Sequence, residues 1–312
     1  MPVLDAEREL VVLDEPVWRA RAEAHEARVD ELVADHLARR RSGVKHPVHD
    51  FLFTYYSFRP AQLRRWSPGY GVALAGGPDP VPVADIVARR DLIEGTHALL
   101  VATAGRPANF GCFGMHEWAM VYRLAEDETR HPAYPLRLGP DGTDAVVEGH
   151  RIACSHFDAY RFFTGPARPL NSLAPQAHDR PAFEQPACLH AGMDLYKHAF
   201  RLSPLVPSEL VADCFELALD IRVLDMRASP YDLSELGYEA VRIETAGGKQ
   251  EYAATQRMFA ERGAPLRRAL IAESQRLLRA CGQEGGGSGQ SMSSPASALA
   301  ASRSSSLTSH TS

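Results

Sequence analysis

Apolar residues at helical spacing are the feature of this sequence that most constrains its fold. In residues 18–41 they recur every three or four positions among charged residues, and Gly43 follows as a helix stop. The same spacing returns in residues 85–104 and 187–202, and in the segment that begins at Ser208. Helices of this kind bury one apolar face against other helices. The sequence therefore predicts a mainly α protein.

Finer boundaries follow from local signals. We expect His116 to begin a helix that runs to about Leu124, and Ser155 and Ser208 to act as helix caps. Two further amphipathic helices are predicted to reach Cys281. Strand signals are few: residues 145–152 alternate weakly, and residues 240–245, AVRIET, are a second candidate. We expect a single helical domain with a minor strand component.

The two ends of the 312-residue chain differ from its middle. We predict an N-terminal extension over residues 1–17, one helical domain over residues 18–281 and a tail over residues 282–312. The tail consists largely of glycine, serine and alanine. Because it has almost no large apolar side chains to offset the entropy of ordering, we expect it to be disordered.

Composition limits the class of protein. Apolar residues make up 45% of the chain and charged residues 23%, as in ordinary soluble domains. The net charge of −5 gives no overall electrostatic footprint for nucleic acid, although it allows a local basic patch. Five cysteines without a CxxC pair indicate a reducing compartment. With no secretory signal and no membrane-length apolar run, we expect a cytoplasmic protein without a membrane partner.

Aromatic and basic residues are concentrated in residues 46–66, HPVHDFLFTYYSFRPAQLRRW. Aromatic rings can form an apolar wall, and arginines can stack on a ring or hold an anion. The segment favours a pocket for a flat, polar ligand, although the rings can equally belong to the core with the arginines solvated. The candidate pocket residues are His46, Tyr55, Tyr56, Arg59 and Trp66.

Histidines and carboxylates lie close together in three later segments. His190, Asp194 and His198 are four residues apart and project from one face of a predicted helix. Imidazoles and carboxylates are ligands for zinc or iron, which are the candidate cofactors. The full set of candidate ligands is His116, Glu117, His156, His190, Asp194 and His198. The alternative is a hydrogen-bonded histidine and aspartate pair without a metal.

Three residues are candidates for catalysis without a metal: Asp158, Asp194 and His190. A buried carboxylate held by a neighbouring histidine or arginine can activate a water molecule beside an aromatic pocket. Such a pocket would suit cleavage of an N-glycosidic bond in a flipped base. Cysteine catalysis is less favoured, because Cys154 and Cys188 each stand two residues before a histidine, an offset that directs helical side chains to different faces.

Five segments carry a resemblance to a known family. They are KHPVHDFLFTYYSFRPAQLRRWSPGYGVAL, ANFGCFGMHEWAMVYR, CSHFDAYRFFTGPARPLN, EQPACLHAGMDLYKHAF and LDMRASPYDL. With them the chain resembles, over residues 18–278, a family of bacterial proteins that usually carry the label 3-methyladenine DNA glycosylase. The resemblance implies hydrolysis of the bond between deoxyribose and an alkylated base, with damaged DNA as partner. No catalytic motif of known glycosylases maps onto this sequence, so no catalytic residue is carried over.

Three functions are expected in order. The first is removal of an alkylated base, with Asp158 or Asp194 handling water and Tyr55, Tyr56 and Trp66 forming the base pocket. The second is a metal-dependent hydrolase or oxidase that acts on a small molecule. The third is a ligand-binding protein without enzymatic activity. A basic groove beside the pocket would favour the first function, and histidines and carboxylates that converge on one point would favour the second.

Overall fold

The computed structural model describes residues 10–284 and confirms a mainly α fold. Twelve α-helices, three short 3-10 helices and one two-stranded parallel sheet make up the regular structure of these residues. The helices are α1 (Glu15–Arg41), α2 (Phe51–Tyr55), α3 (Pro60–Leu63), α4 (Val83–Val87), α5 (Arg90–Ala104), α6 (Met115–Ala119), α7 (Gly139–Glu148), α8 (Phe157–Tyr160), α9 (Arg180–Phe183), α10 (Leu189–Leu202), α11 (Ser208–Arg227) and α12 (Ala246–Glu284). The strands are β1 (Val11–Leu13) and β2 (Val72–Leu74).

Helix α10 lies at the centre of the core. It packs most extensively against α11, and both helices contact α12, which also packs along α5. Met193, Leu195 and Leu202 of α10 are fully buried, as expected for a helix covered on several sides. Polar side chains of the same helix are buried with them. Because burying a polar group is unfavourable unless it finds a partner, α10 is the natural place to look for a functional site.

Helix α12 is continuous where the sequence indicated two helices. It extends to Glu284, beyond the predicted domain end at residue 281, and includes Pro265. Proline lacks the N–H that would bond back along the helix. Pro265 is exposed, so water can satisfy the carbonyl that loses its partner. The predicted disorder of residues 285–312 lies outside the described residues, as do residues 1–9 of the predicted N-terminal extension.

The predicted strands are wrong. Residues 145–148 end helix α7, in which Thr143, Val146 and Val147 are buried at helical rather than alternating spacing. Residues 240–245 form no strand. The observed sheet instead pairs Val11 with Val72 and Leu13 with Leu74, so residues 11–13 of the predicted extension belong to the domain.

Several helix ends differ from the predicted ones. The predicted helix over residues 85–104 is split into α4 and α5, and the helix at His116 ends at Ala119. His156, not Ser155, is the residue that precedes α8. Ser208 is the first residue of α11, and its hydroxyl donates to the carbonyl of Arg65 instead of capping the helix. Tertiary contacts therefore override these local signals.

No helix in residues 10–284 combines the length and the apolar character that a membrane crossing needs.

Candidate metal centre and cleft

Three buried side chains from three helices converge at the centre of the molecule. His116 comes from α6, His190 from α10 and Asp225 from α11, and one ligand atom of each lies within 4.8 Å of the other two. The rings of His116 and His190 meet edge to face, with centroids 4.5 Å apart. Two imidazoles and one carboxylate at this separation can coordinate a single metal ion.

The contact between His116 and Asp225 is short. Nε2 of His116 lies 2.9 Å from Oδ1 of Asp225, and within the described residues neither buried atom has a well-aligned hydrogen-bond partner. This distance fits two arrangements: a charged histidine and aspartate pair, and two ligands of one ion.

Protonation differs between the two histidines. Burial alone would lower the pKa of His116, but the neighbouring Asp225 carboxylate raises that pKa well above its usual value. Burial lowers the pKa of His190 well below its usual value, and the nearby His116 lowers it further. His190 is therefore neutral, with one ring nitrogen able to donate its lone pair, which is the form that binds a metal. His116 would lose its proton when an ion replaces it beside Asp225.

Arg222 holds the carboxylate of Asp225 in place. Its Nη1 lies 2.5 Å from Oδ2 of Asp225 and 3.0 Å from Oε1 of Glu117, and its guanidinium stacks on Phe51 at 4.1 Å. Oδ2 is thereby occupied, and Oδ1 is left toward the two histidines. Burial raises the pKa of Asp225, but His116 and Arg222 outweigh it and hold that pKa below its usual value. Such outer contacts orient metal ligands.

The sequence-predicted ligands divide into two groups. His116 and His190 belong to the candidate metal centre, and Glu117 contacts it through Arg222. His156 and Asp194 belong to a neighbouring ion network, in which Nε2 of His156 lies 3.4 Å from Oδ2 of Asp194. The rings of His156 and His190 are 5.2 Å apart, so the two groups are adjacent.

The guanidinium of Arg180 already supplies a cation to the second group. It lies 2.7 Å from Asp194 and 2.5 Å from Glu184, the two carboxylates nearest to His156. Lys197 adds a second cation, 3.2 Å from Asp194. A second metal ion at this position would face repulsion from both. The arrangement therefore suits one ion at the site.

Asp194 is saturated with partners. Besides the two cations, it accepts a hydrogen bond from the hydroxyl of Tyr56 at 2.9 Å, and its side chain is 2% exposed. Burial raises the pKa of Asp194, but His156 and Lys197 outweigh it and hold that pKa well below its usual value. Asp194 is thus an ionised anchor of the network without a free oxygen for a substrate.

His198 lies farther along α10. Eight residues separate it from His190, a rise of about 12 Å along the helix axis. Its side chain is buried, and burial lowers its pKa to about 3. Of the three residues that share one face of α10, only His190 therefore joins the metal centre.

An open cleft of about 470 Å³ borders this centre through His190, whereas His116 and Asp225 do not line it. His190 lines its floor, and Asp158 lines its wall. Burial raises the pKa of Asp158, but Lys197, 2.9 Å away, outweighs it, so the carboxylate stays ionised. The remaining lining residues are Phe51, Thr54, Tyr55, Glu117, Met120, Arg130, His131, Arg161, Phe162 and Arg222. The volume is that of a site for a small molecule.

The predicted pocket residues do not all meet at the cleft. Tyr55 lines it, and Tyr56 lies buried behind it against Asp194. His46 packs against His49, with ring centroids 4.8 Å apart. The indole of Trp66 donates to Glu209 at 2.9 Å, on another part of the surface.

Arg59, the remaining predicted pocket residue, lies in a second groove of about 510 Å³. The groove is on the other side of α2 and shares Thr54 with the cleft. Arg40, Lys45 and Arg59 line it, and within residues 10–284 none of these cations has an ion-pair partner. Phe53 and Phe58 supply aromatic surface between them. The groove is therefore basic despite the acidic balance of the whole chain.

A small void lies behind the two metal-centre histidines. It measures about 10 Å³, the space of a single water molecule, and Cys112, Cys154 and Cys188 line it. Burial raises the pKa of Cys154 and of Cys188. Because a protonated thiol is a poor nucleophile, Cys154 and Cys188 are not suited to attack a substrate.

Asp225, the third ligand, was missed by sequence reasoning. It follows Ile221 by four residues and so falls on the core face of α11, where a charged residue is unusual. Arg222, three residues before it, is a second charge on the buried side. Two charged residues on the buried side of an apolar helix were therefore the sequence signal that could have identified Asp225.

Comparison of the chain with protein-family models, with curated proteins and with solved structures gives no match.

Proposed function

We propose that this protein is a metal-dependent hydrolase or oxidase that acts on a small molecule. The observation that carries the proposal is the convergence of His116, His190 and Asp225 on one point, with His190 also lining an open cleft. Three protein ligands leave coordination positions free for water and substrate. Zinc and iron are both used with two histidines and one carboxylate, and either would supply a Lewis acid at the cleft floor.

The protein's own groups would divide the remaining work. Asp158 faces the cleft as an ionised carboxylate and can accept a proton from water or substrate, whereas Asp194 is enclosed by its partners. Arg222 keeps Asp225 oriented. We therefore assign proton transfer to Asp158 and a structural role to Asp194.

Metal content tests this proposal directly. Protein without a metal-binding tag is purified, stripped with chelator, and reloaded with Zn²⁺ or, without oxygen, with Fe²⁺. We expect one ion per chain in the native protein and none in His190→Ala or Asp225→Asn. The matched control is His198→Gln, a change on the same helix that should keep the ion. Failure of the native protein to take up either metal would refute the proposal.

A second candidate function, removal of an alkylated base, is supported by the basic groove beside the cleft. Arg40, Lys45 and Arg59 could hold backbone phosphates while a base enters the cleft beside Tyr55 and Asp158. The family resemblance points the same way. We place the glycosylase function second because it gives no role to the three residues that converge as candidate metal ligands.

Base release from alkylated DNA separates the two candidates. The glycosylase function requires release that falls at least about a hundredfold in Asp158→Asn. It also requires DNA binding that weakens as salt rises and in Arg40→Ser. If native protein in excess over its DNA releases no base, the second candidate is eliminated.

A further inference from the structure

We propose that the cleft binds a small aromatic carboxylate, whose anionic group is held by Arg130 and Arg161. This inference rests on the proposed metal-dependent function, because it names the substrate class of that same site. It is carried by the placement of two guanidiniums on one phenyl ring at the cleft.

Arg130 is the cation of the cleft that lacks a counter-charge. Its guanidinium stacks on Phe162 at 3.9 Å from the ring centroid, and its side chain otherwise contacts the sulfur of Met120 at 3.8 Å. Among the side chains that the structure describes, which do not include that of Glu126, no carboxylate lies at ion-pair distance from it. An arginine that is held on a ring, and that donates only to a weakly accepting sulfur, is preorganised to bind an anion.

Arg161 approaches the same ring. Its guanidinium lies 4.5 Å from the centroid of Phe162, and Nη2 donates to the hydroxyl of Tyr55 at 3.2 Å. Its nearest carboxylate, Asp158, is 3.5 Å away and is closer to Lys197. Both guanidiniums lie within 4.5 Å of one ring centroid, so their positive charges repel each other. A carboxylate bound there would relieve this repulsion.

The charge balance of the cleft also favours an anion. Both carboxylates that line it already have a cationic partner, since Glu117 pairs with Arg222 and Asp158 pairs with Lys197. The charge of Arg130 therefore remains uncompensated, and a bound metal ion would add to it. A cationic ligand such as an alkylated base would be repelled.

Aromatic walls favour a planar ligand. Phe51 and Tyr55 are stacked, with ring centroids 5.0 Å apart and planes 8° apart. Tyr55 meets Phe162 nearly edge to face at 6.5 Å. Rings on adjoining walls offer stacking and edge contacts to a flat molecule. With its anion on Arg130 and Arg161, such a molecule would extend toward His190 on the floor.

The test compares benzoate with benzamide, which has the same ring and no charge. Binding is measured by calorimetry on metal-stripped protein, so that direct coordination of the carboxylate to an ion does not contribute. We expect benzoate to bind at least tenfold more tightly than benzamide. Arg130→Met and Arg161→Met should each weaken benzoate binding at least tenfold and leave benzamide binding unchanged.

Arg257→Met is the matched control. Arg257 is also an exposed arginine stacked on a phenylalanine, Phe110, at 4.5 Å, but it lies outside the cleft. The Arg257→Met variant should bind benzoate as tightly as the native protein does. Equal affinity for benzoate and benzamide, or an unchanged benzoate affinity in Arg130→Met, would overturn the inference. Melting curves of each variant confirm that it is folded.

The two proposals fail separately. If one ion binds per chain but benzoate has no advantage over benzamide, the substrate class is wrong and the metal centre stands. If benzoate binding depends on Arg130 but neither metal binds, the metal-dependent function is wrong and the cleft remains a site for aromatic carboxylates.

Discussion

At the scale of single residues, Asp194 and Asp158 show how burial separates two carboxylates with similar neighbours. Asp194 accepts the Tyr56 hydroxyl and contacts two cations, and it is nearly inaccessible. Asp158 shares Lys197 with it but also borders the cleft. Substitutions at the two positions should therefore affect different properties of the protein.

We predict that Asp194→Asn lowers the free energy of unfolding by about 3 kcal/mol, because it leaves Arg180 and Lys197 with too little negative charge. Asp158→Asn should lower it by less than about 1 kcal/mol, because Lys197 keeps Asp194 as partner. Urea denaturation measures both. Equal losses in the two variants would contradict the separation of roles.

His198 should make stability depend on pH. Its pKa is lowered to about 3 by burial, so below its ordinary value of 6.5 the unfolded chain binds a proton that the folded chain does not. The stability advantage of the native protein over His198→Gln should therefore shrink as the pH falls from 7 to 4, by on the order of 1 kcal/mol per pH unit. Denaturation curves of both proteins at several pH values measure it. A constant difference would mean that His198 titrates normally.

At the scale of helices, the contact between α10 and α11 sets the distance between His190 and Asp225. Gly192 lies at this contact: a Cβ placed there would come within 2.7 Å of Cδ1 of Ile221. Ile221 is buried, so the crowding has little room to relax. The glycine allows the two helices to approach closely enough for their ligands to meet.

A double-mutant cycle tests this contact. Gly192→Ala should lower stability or metal affinity, and Ile221→Val, which removes Cδ1, should restore part of the loss. We expect a favourable coupling of about 1 kcal/mol between the two changes in unfolding measurements. If the effects of the two changes simply add, a clash between the new methyl group at position 192 and Cδ1 of Ile221 is not the cause of the loss.

Helices with strong periodicity were predicted well from the sequence, whereas their partners were not. The segments 18–41 and 187–202 closely match α1 and α10, because alternating apolar and charged faces specify a helix locally. Part of the α7 segment was predicted as a strand from the weak alternation of residues 145–152, whereas its buried residues Thr143, Val146 and Val147 follow helical spacing. The metal centre needs α6, α10 and α11 together, and no spacing within α10 reveals that Asp225 lies beside His190.

At the scale of the whole molecule, the metal centre joins helices that are distant in sequence. His116, His190 and Asp225 span more than a hundred residues and are held in one core. An ion that binds these residues only when they are assembled must stabilise the folded chain. With an ion bound, the site would therefore also act as a structural crosslink.

Metal removal should lower the melting temperature. Because a ligand at a hundred times its dissociation constant adds about 2.7 kcal/mol, we expect a drop of several degrees when chelator is added to the loaded protein. His190→Ala should melt at the same temperature with and without chelator. If the melting temperature of the native protein changes with neither added metal nor added chelator, the proposed binding of an ion in the core is contradicted.

The guanidinium of Arg180, between Glu184 and Asp194, has a consequence for stoichiometry. A covalently attached cation cannot dissociate, so those carboxylates remain neutralised at every concentration of free metal. Occupancy should then follow a simple hyperbola with a Hill coefficient of one, without the cooperative or biphasic uptake typical of paired ions. The guanidinium of Arg180 thus takes the position that a second metal ion would occupy in a two-cation centre.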